Sequence, residues 1–256
     1  MDTDLEILLT NDDGIDSPGF RALYDTLSEV ANVTAVAPAR DQSAVGRTMS
    51  TEVGVEEHEL GFAIDGTPVD CIVAGLEAIC QGPDLVVSGC NTGANLGAYV
   101  LGRSGTVSAA VEAAFCGIPA IAVSLYVPED EWPRTPKPEE YEDACRATRY
   151  LVEYAPTRGV FEQAEYLNIN APLPGDEPAP MAVTRPSTVY DMGATKNESS
   201  ITLHDLSWDA MASGEIDDPE GTDRRAVTEG RISVSPLTAP HTTEHHEALD
   251  RLAEEF

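Results

Sequence analysis

The chain has 256 residues, of which 42% are hydrophobic and 23% charged, a length that can bury a large core and a composition that excludes a disordered chain. Its 45 acidic and 15 basic residues give a formal net charge of −30, which disfavours binding to nucleic acid or anionic lipid. No apolar stretch is long enough to span a membrane, and the acidic start Met1-Asp2-Thr3-Asp4 lacks the features of a signal peptide, so we expect a cytoplasmic protein.

The first half of the chain alternates short apolar runs with helical patterns. Strands are predicted at 5–9, 33–37, 84–88 and 120–125. Helices are predicted to begin at Ser17-Pro18 and Thr67-Pro68, where proline suits the first helical position, and a third to cover 106–116. Strands that are apolar on both faces and separated by helices predict an α/β fold with a doubly wound, mostly parallel sheet.

The second half of the chain differs from the first in composition. Residues 128–143 are rich in proline and acidic side chains and precede a predicted helix at 141–154. Residues 186–230 are polar and predict an extended hairpin or long arm. The remaining predicted elements are strands at 167–170, 181–184 and 232–235 and a short acidic helix at the end of the chain.

Three polar loops follow predicted strands, where ligands bind in parallel sheets. The first contains Asp12 and Asp13, whose carboxylates suit a hard divalent cation, although Asp-Asp-Gly is also an ordinary turn. The second is 38–43, which ends at Ser43. The third is 88–97, and the chain continues to Ser104-Gly105-Thr106 at a helix start, which predicts either an anion site or a simple cap.

Together these loops predict a cation site beside an anion cradle. Because Asp12, Asp13, Ser43 and Asn91 all offer oxygen ligands, Mg²⁺ or Mn²⁺ suits the site better than zinc. A hard metal that bridges to a phosphate group is the natural occupant of such a crevice.

The motifs around these residues resemble the SurE family of metal-dependent nucleoside monophosphate phosphatases. The resemblance runs in order over most of the chain and is weakest in 128–165 and 186–220. The segments that carry it are 8–15, 36–43, 66–71, 87–97, 104–107, 167–170 and 232–237. The chain departs from the family at Cys90, where isoleucine is common, at Arg103, where tyrosine is frequent, and at Asp16-Ser17. Substrate preference is therefore the property that the resemblance leaves open.

The resemblance implies a role for each candidate residue. Asp12, Asp13, Ser43 and Asn91 would hold one divalent cation per subunit, Mg²⁺ or Mn²⁺. Asn91, Ser104, Gly105 and Thr106 would bind the phosphate of a nucleoside monophosphate. Asp12 and Asn91 are the expected catalytic residues, and Asp12 would orient or deprotonate the attacking water or, less favourably, attack through its own carboxylate.

The resemblance also implies a Rossmann-like core and association into a homodimer or homotetramer. We therefore divide the chain into a core with the metal and phosphate site at 1–127 and a C-terminal part at 128–256. The second part would complete the core and supply an oligomerisation arm.

Four other functions compete with this hypothesis. A P-loop is excluded because neither lysine, Lys137 or Lys196, lies in a Gly-Lys-Ser/Thr sequence, and a serine hydrolase is disfavoured because no histidine follows Ser104 until His204. The inverted zinc-protease pattern His241–His245 is disfavoured relative to a solvated terminal helix, because a third metal ligand is hard to place downstream of it. A non-catalytic nucleotide-binding or regulatory module on the same fold also stays open, because one fold hosts many functions.

The charge and the cysteines predict the environment of the protein. A large acidic excess with only two lysines is typical of proteins adapted to molar salt, where like charges on a surface repel little. An acidic face for a protein partner is the alternative interpretation. The five cysteines form no C-x-x-C pair and predict small buried thiols in a reducing compartment.

Overall fold

A computed structural model describes residues 5–128 and 134–239. The predicted terminal helix and the His241–His245 pattern lie outside these residues. The strands are β1 (Glu6–Thr10), β2 (Asn32–Pro38), β3 (Gly54–His58), β4 (Gly61–Asp65), β5 (Leu85–Thr92), β6 (Ala120–Leu125), β7 (Tyr166–Ala171), β8 (Met181–Val183), β9 (Met192–Lys196), β10 (Ile201–Asp205) and β11 (Ile232–Leu237). The α-helices are α1 (Pro18–Leu27), α2 (Pro68–Ala74), α3 (Ala98–Leu101), α4 (Gly105–Phe115), α5 (Glu142–Tyr154), α6 (Leu206–Ser213) and α7 (Asp223–Thr228). A π-helical turn extends α2 (Gly75–Ile79), and short 3₁₀ helices lie at Pro138–Tyr141, Pro156–Arg158 and Val160–Glu162.

Nine strands form one mostly parallel sheet in the order β3-β4-β2-β1-β5-β6-β7-β11-β8. Only the β3–β4 and β7–β11 pairs are antiparallel. The chain moves from β1 to β2 on one side and then returns to β5 on the other side. Because the strand order reverses between β1 and β5, the crevice beyond their carboxyl ends is the expected ligand site of this fold. The α/β prediction is confirmed.

Both faces of the sheet are covered by helices. Strand β1 shows why, because Ile7 and Leu9 point into one hydrophobic cluster with α1 and α5, while Leu8 points into the other. In the second cluster, Ile72 of α2 packs with Val107 of α4. Alternating side chains that are all buried explain why the strand sequences read as continuous apolar runs.

Several helix starts follow the predicted chemistry. Thr67 and Asp70 form a capping box at α2, with Thr67 N–H donating to Asp70 Oδ2 at 2.8 Å. Ser17 occupies the N-cap position of α1, but its hydroxyl accepts from Asn11 Nδ2 at 2.9 Å instead of capping the helix. The side chain of Ser17 thus braces the first loop against α1.

Five elements were not predicted, namely β3, β4, α3, α6 and α7. The β3–β4 hairpin was missed because β3 is an edge strand whose residues 54–57 are exposed. In the region expected to form a hairpin or arm, β9 and β10 do pair antiparallel, but α6 and α7 follow them.

The cysteine prediction is only partly confirmed. All five thiols are free, and Cys71, Cys90 and Cys145 are buried, but Cys80 is half-buried and Cys116 is exposed. Within residues 5–128 and 134–239, no helix has the length and apolar character needed to cross a membrane.

Candidate active site

Asp12 lies at the carboxyl end of β1 and is 4% exposed. Its Oδ1 accepts a hydrogen bond from Thr106 Oγ1 at 2.6 Å, which joins the first loop to the start of α4. Its backbone oxygen accepts from Gln42 N–H at 2.7 Å, which brings the second loop to the same place. The start of α4 therefore contacts the carboxylate of Asp12, and the second loop contacts its backbone.

Asp13 joins the third loop to the first. Its Oδ2 accepts from the backbone N–H of Thr92 at 2.8 Å, next to Asn91 at the end of β5. The side chain of Asn91 donates through Nδ2 to the backbone oxygen of Gly93, so its Oδ1 is the amide oxygen left to bind a cation. The structure thus brings Asp12, Asp13 and the Asn91 loop together.

Ser43 is less tightly placed than the two aspartates. It is exposed, and both its backbone N–H and its hydroxyl donate to Asp41 Oδ1, at 2.7 and 2.5 Å. The sequence analysis did not single out Asp41, although its charge lies close enough to act on both Asp12 and Asp13. The second loop therefore brings a third carboxylate toward the crevice.

The three residues at the start of α4 have different roles. Ser104 is the N-cap, and its hydroxyl accepts from Val107 N–H at 3.1 Å. The Thr106 hydroxyl already donates a hydrogen bond to Asp12. Gly105 has no side chain, and a Cβ built there would lie 2.7 Å from Asp12 Oδ2. Of the predicted phosphate contacts, the backbone N–H groups and the Ser104 hydroxyl proton are the donors suited to an anion.

The buried carboxylates resist ionisation. Burial raises the pKa of Asp12 to about 6, against an opposing hydrogen bond from Thr106. Burial and the neighbouring charge of Asp12 raise the pKa of Asp13 to about 7, although Thr92 N–H lowers it. Two adjacent carboxylates held in this way gain stability from a cation that neutralises them.

The residues fit a hard divalent cation. No three His, Cys, Asp or Glu side chains in the described part of the chain are grouped so that they could hold a metal, so the candidate site depends on two carboxylates supplemented by neutral oxygens. Carboxylate, hydroxyl and amide oxygens are ligands that Mg²⁺ and Mn²⁺ accept. The missing side chain at Gly105 also leaves space beside Asp12 Oδ2.

A buried amide network holds the third loop in position. Asn95 N–H donates to Asn170 Oδ1 at 2.7 Å, and Asn95 Nδ2 donates to Ser124 Oγ at 2.9 Å. The Asn95 carbonyl accepts from Asn168 Nδ2 at 2.9 Å and from Asn170 Nδ2 at 3.1 Å. The asparagines of the predicted strand at 167–170 therefore hold the third loop of the candidate site in place.

The C-terminal half adds a further anchor that the sequence did not reveal. The Asp223 carboxylate is fully buried and accepts from the backbone N–H groups of Gly97, Ser187 and Arg224, at 2.7 to 2.8 Å. Arg224 is 2% exposed, and its guanidinium lies over the ring of Tyr99 at 5.2 Å from the centroid. The loop after Asn91 is thus held from both halves of the chain.

Both the sequence and the fold are similar to those of known proteins. The family model described as survival protein SurE matches residues 7–191. A protein from Haloarcula marismortui named 5′-nucleotidase SurE is 63% identical over 254 residues, covering 98% of this chain and 94% of that protein. One of the same name from Halobacterium salinarum is 61% identical over the full length of both. The crystal structure of a SurE protein from Aquifex aeolicus superposes with a TM-score of 0.79 at 31% identity, covering 97% of this chain and 99% of that one.

Proposed function

Because this chain belongs to the survival protein SurE family, we propose that it is a divalent-metal-dependent phosphatase that hydrolyses nucleoside 5′-monophosphates to nucleoside and phosphate. One observation carries the proposal: the buried Asp12 carboxylate accepts from Thr106 at the start of α4, while its neighbour Asp13 accepts from Thr92 of the Asn91 loop. A pair of carboxylates thus stands beside a helix N-terminus, the arrangement that suits a metal and a phosphate together.

In this proposal Asp12, Asp13, Ser43 and Asn91 hold one Mg²⁺ or Mn²⁺ ion. When bound, a divalent cation polarises a phosphoryl oxygen and makes a coordinated water more acidic. The raised pKa values of Asp12 and Asp13 support this occupancy, since both carboxylates would be neutralised by it. Binding of Ser43 requires its hydroxyl to turn from Asp41, a rotation about one side-chain bond at an exposed position.

The protein groups around the phosphate divide the remaining work. Asn91, Ser104 and the N–H groups of Gly105 and Thr106 orient the phosphoryl oxygens and stabilise the charge that develops on them. Asp12 Oδ1 is fixed by Thr106, which leaves Oδ2 to orient the attacking water and accept its proton. The fixed geometry lowers the activation barrier because the reacting groups are held close together before reaction.

The charge and the thiols support the proposed setting. We expect a cytoplasmic enzyme of a salt-adapted cell, because the net charge is −30 and all five cysteines are free. We also expect a homodimer or homotetramer. Exposed apolar side chains, such as Ile201 and Leu203 on β10 and Val183 on the edge strand β8, support association between copies.

The direct test is a phosphate-release assay in molar KCl. The panel contains 5′-AMP, 5′-GMP, 3′-AMP and short-chain polyphosphate, each with Mg²⁺, Mn²⁺ or a chelator. We expect metal-dependent release from the 5′-esters, and the 3′-ester and polyphosphate define the range of substrates. Metal-dependent binding of 5′-AMP without any release would instead identify a non-catalytic nucleotide-binding module.

Asp12→Asn tests the catalytic assignment. Its turnover should fall at least about a hundredfold, because the carboxylate is lost while the side-chain shape is kept. Asp16→Asn is the matched control, since Asp16 lies four residues on with a side chain that is 85% exposed. Near-normal turnover of Asp12→Asn in the presence of metal would refute the role of this residue.

A further inference from the structure

Thr92 occupies a central position in the candidate site. Its backbone N–H donates to Asp13 Oδ2 at 2.8 Å. Its neighbours in the chain are Asn91 and Gly93, which are joined by the hydrogen bond from Asn91 Nδ2 to the Gly93 carbonyl. The conformation of Thr92 therefore affects the positions of Asp13 and Asn91, which are two of the four residues proposed to hold the cation.

The central sheet holds Thr92 only at the end of a strand. Thr92 is the last residue of β5, and its pairing with Leu125 is the last of the β5–β6 ladder. The register of this ladder shifts between Ser88 and Asn91, so regular pairing is interrupted just before it reaches Thr92. A side-chain contact at Thr92 can therefore contribute strongly to the geometry of the loop.

Tyr141 supplies that contact. The hydroxyl oxygens of Tyr141 and Thr92 are 2.7 Å apart, so that one group donates a hydrogen bond to the other. Tyr141 is fully buried and lies where the 3₁₀ helix Pro138–Tyr141 ends and α5 begins. Buried hydroxyl groups are nearly always hydrogen-bonded, and loss of one partner leaves the other unsatisfied. The C-terminal half of the chain thus contacts the third loop through Tyr141.

The ring of Tyr141 is held in one position by its surroundings. Gly19 of α1 leaves room for it, because a Cβ there would lie 2.7 Å from Tyr141 Cε1 and 2.2 Å from the Cys90 carbonyl oxygen. Glu140, the residue before Tyr141, accepts two hydrogen bonds from the guanidinium of Arg134, at 2.7 and 2.8 Å. The position of the Tyr141 hydroxyl is therefore fixed by packing on one side and by an ion pair on the other.

From these contacts we propose that Tyr141 is a positioning residue of the cation site. Its hydroxyl fixes the side chain of Thr92. Thr92 in turn holds Asp13 through its N–H and Asn91 through the carbonyl of the next residue. The inference rests on the proposed function, because it takes Asp13 and Asn91 as cation ligands. Groups that orient metal ligands contribute to metal affinity, so loss of the Tyr141 hydroxyl should weaken cation binding.

Binding of Mn²⁺ in molar KCl without nucleotide tests the inference, because free Mn²⁺ is measured by its electron paramagnetic resonance signal. Tyr141→Phe removes only the hydroxyl and should raise the Kd for Mn²⁺ roughly tenfold, as is typical when a group that orients a metal ligand is lost. Thr92→Val removes the same hydrogen bond from the other side and should raise the Kd by the same factor. Thr92→Ser keeps a hydroxyl and should bind Mn²⁺ as tightly as the parent protein.

A double variant and a control complete the design. Tyr141→Phe combined with Thr92→Val should also raise the Kd roughly tenfold and no further, because both changes remove one shared interaction. Tyr166→Phe is the matched control. Tyr166 is also buried, but it begins β7 and pairs with the first residue of β6, at the edge of the sheet opposite the candidate site. Its loss of a hydroxyl should leave the Kd unchanged.

Three results would overturn the inference. The first is a parental Kd in Tyr141→Phe or Thr92→Val, and a lowered Tm with that Kd would show that the hydroxyl pair serves stability alone. The second is a Kd about a hundredfold above the parent in the double variant, which would mean that the two hydroxyls act independently. The third is an equal loss of affinity in Tyr166→Phe. If Tyr141→Phe does not fold, Thr92→Val decides the question.

The parent protein separates this inference from the proposed function. If the parent binds Mn²⁺ and the variants bind it equally well, the inference fails and the proposed function stands. If the variants bind Mn²⁺ weakly but the parent hydrolyses no nucleoside monophosphate, the role of Tyr141 stands and the proposed phosphatase activity fails. If the parent binds neither Mn²⁺ nor Mg²⁺, both fail.

Discussion

Gly105→Ala tests the packing on which the candidate site depends. An alanine Cβ at this position would lie 2.7 Å from Asp12 Oδ2, 2.8 Å from Asp12 Cβ and 3.1 Å from Asp12 Cγ. The carboxylate cannot simply swing away, because Asp12 is 4% exposed and is held by Thr106. Either α4 or the first loop must move to relieve the contact.

The structure sets the size of the expected effect. Overpacking a buried site costs about 1–3 kcal/mol of unfolding free energy, which for a chain of this length lowers Tm by roughly 2–4 °C per kcal/mol. Displacement of a catalytic carboxylate by about 1 Å should lower kcat for 5′-AMP on the order of a hundredfold. The activity loss should therefore be much larger than the stability loss implies.

Phosphate release with saturating Mn²⁺ and thermal unfolding in molar KCl provide the two measurements. Gly102→Ala is the matched control, because a Cβ there would meet nothing within 4 Å and the backbone is already in the right-handed helical region. The control should change the unfolding free energy by less than about 0.5 kcal/mol. A Gly105→Ala protein with the kcat and Tm of the parent would show that the site does not depend on the close approach of α4 to Asp12.

Two further predictions concern stability. Burial and Asp12 raise the pKa of Asp13 from 3.8 to about 7. The metal-free protein should therefore lose up to about 4 kcal/mol of unfolding free energy as pH rises from about 4 to 7. Asp13→Asn should flatten this pH profile and abolish stabilisation by Mg²⁺; an unchanged profile in chelator would contradict the assignment. Thr67→Ala removes the acceptor for Asp70 N–H and should cost about 1 kcal/mol, and an unchanged Tm would argue against the capping box.

The correctly predicted elements are those whose own residues carry a local signal of their structure. Strand β6 has the predicted bounds, and α1 begins at the predicted Pro18, because buried apolar runs and a proline at the helix start are local signals. The β3–β4 hairpin carries weak signals, since Glu56 and Glu57 are exposed on an edge strand. Its pairing depends on β2, which lies beside β4.

The difference between local sequence signals and tertiary contacts also explains which residues of the candidate site were predicted. Asp12 and Thr106 were predicted to be neighbours although they are 94 residues apart, because both follow strands of one parallel sheet. Asp223, Asn95 and the Thr92–Tyr141 pair were not predicted. Their roles depend on tertiary contacts, such as the hydrogen bond from Gly97 to Asp223 across 126 residues, which no local pattern encodes.

The distance along the chain between the parts of this crevice has a consequence for biosynthesis. Strand β1 pairs with β5, so Ile7 can pair with Leu85 only after Leu85 has been synthesised. In the same way, Asp12 can accept its hydrogen bond only after Thr106 has been synthesised. The hydrogen bond from Gly97 N–H to Asp223 forms only after Asp223 has been synthesised. Contacts of such long range form late, so a nascent chain released before residue 223 would expose apolar strands without a finished crevice. The hydrogen bonds that hold the candidate site together are therefore complete only after residue 223 has been synthesised.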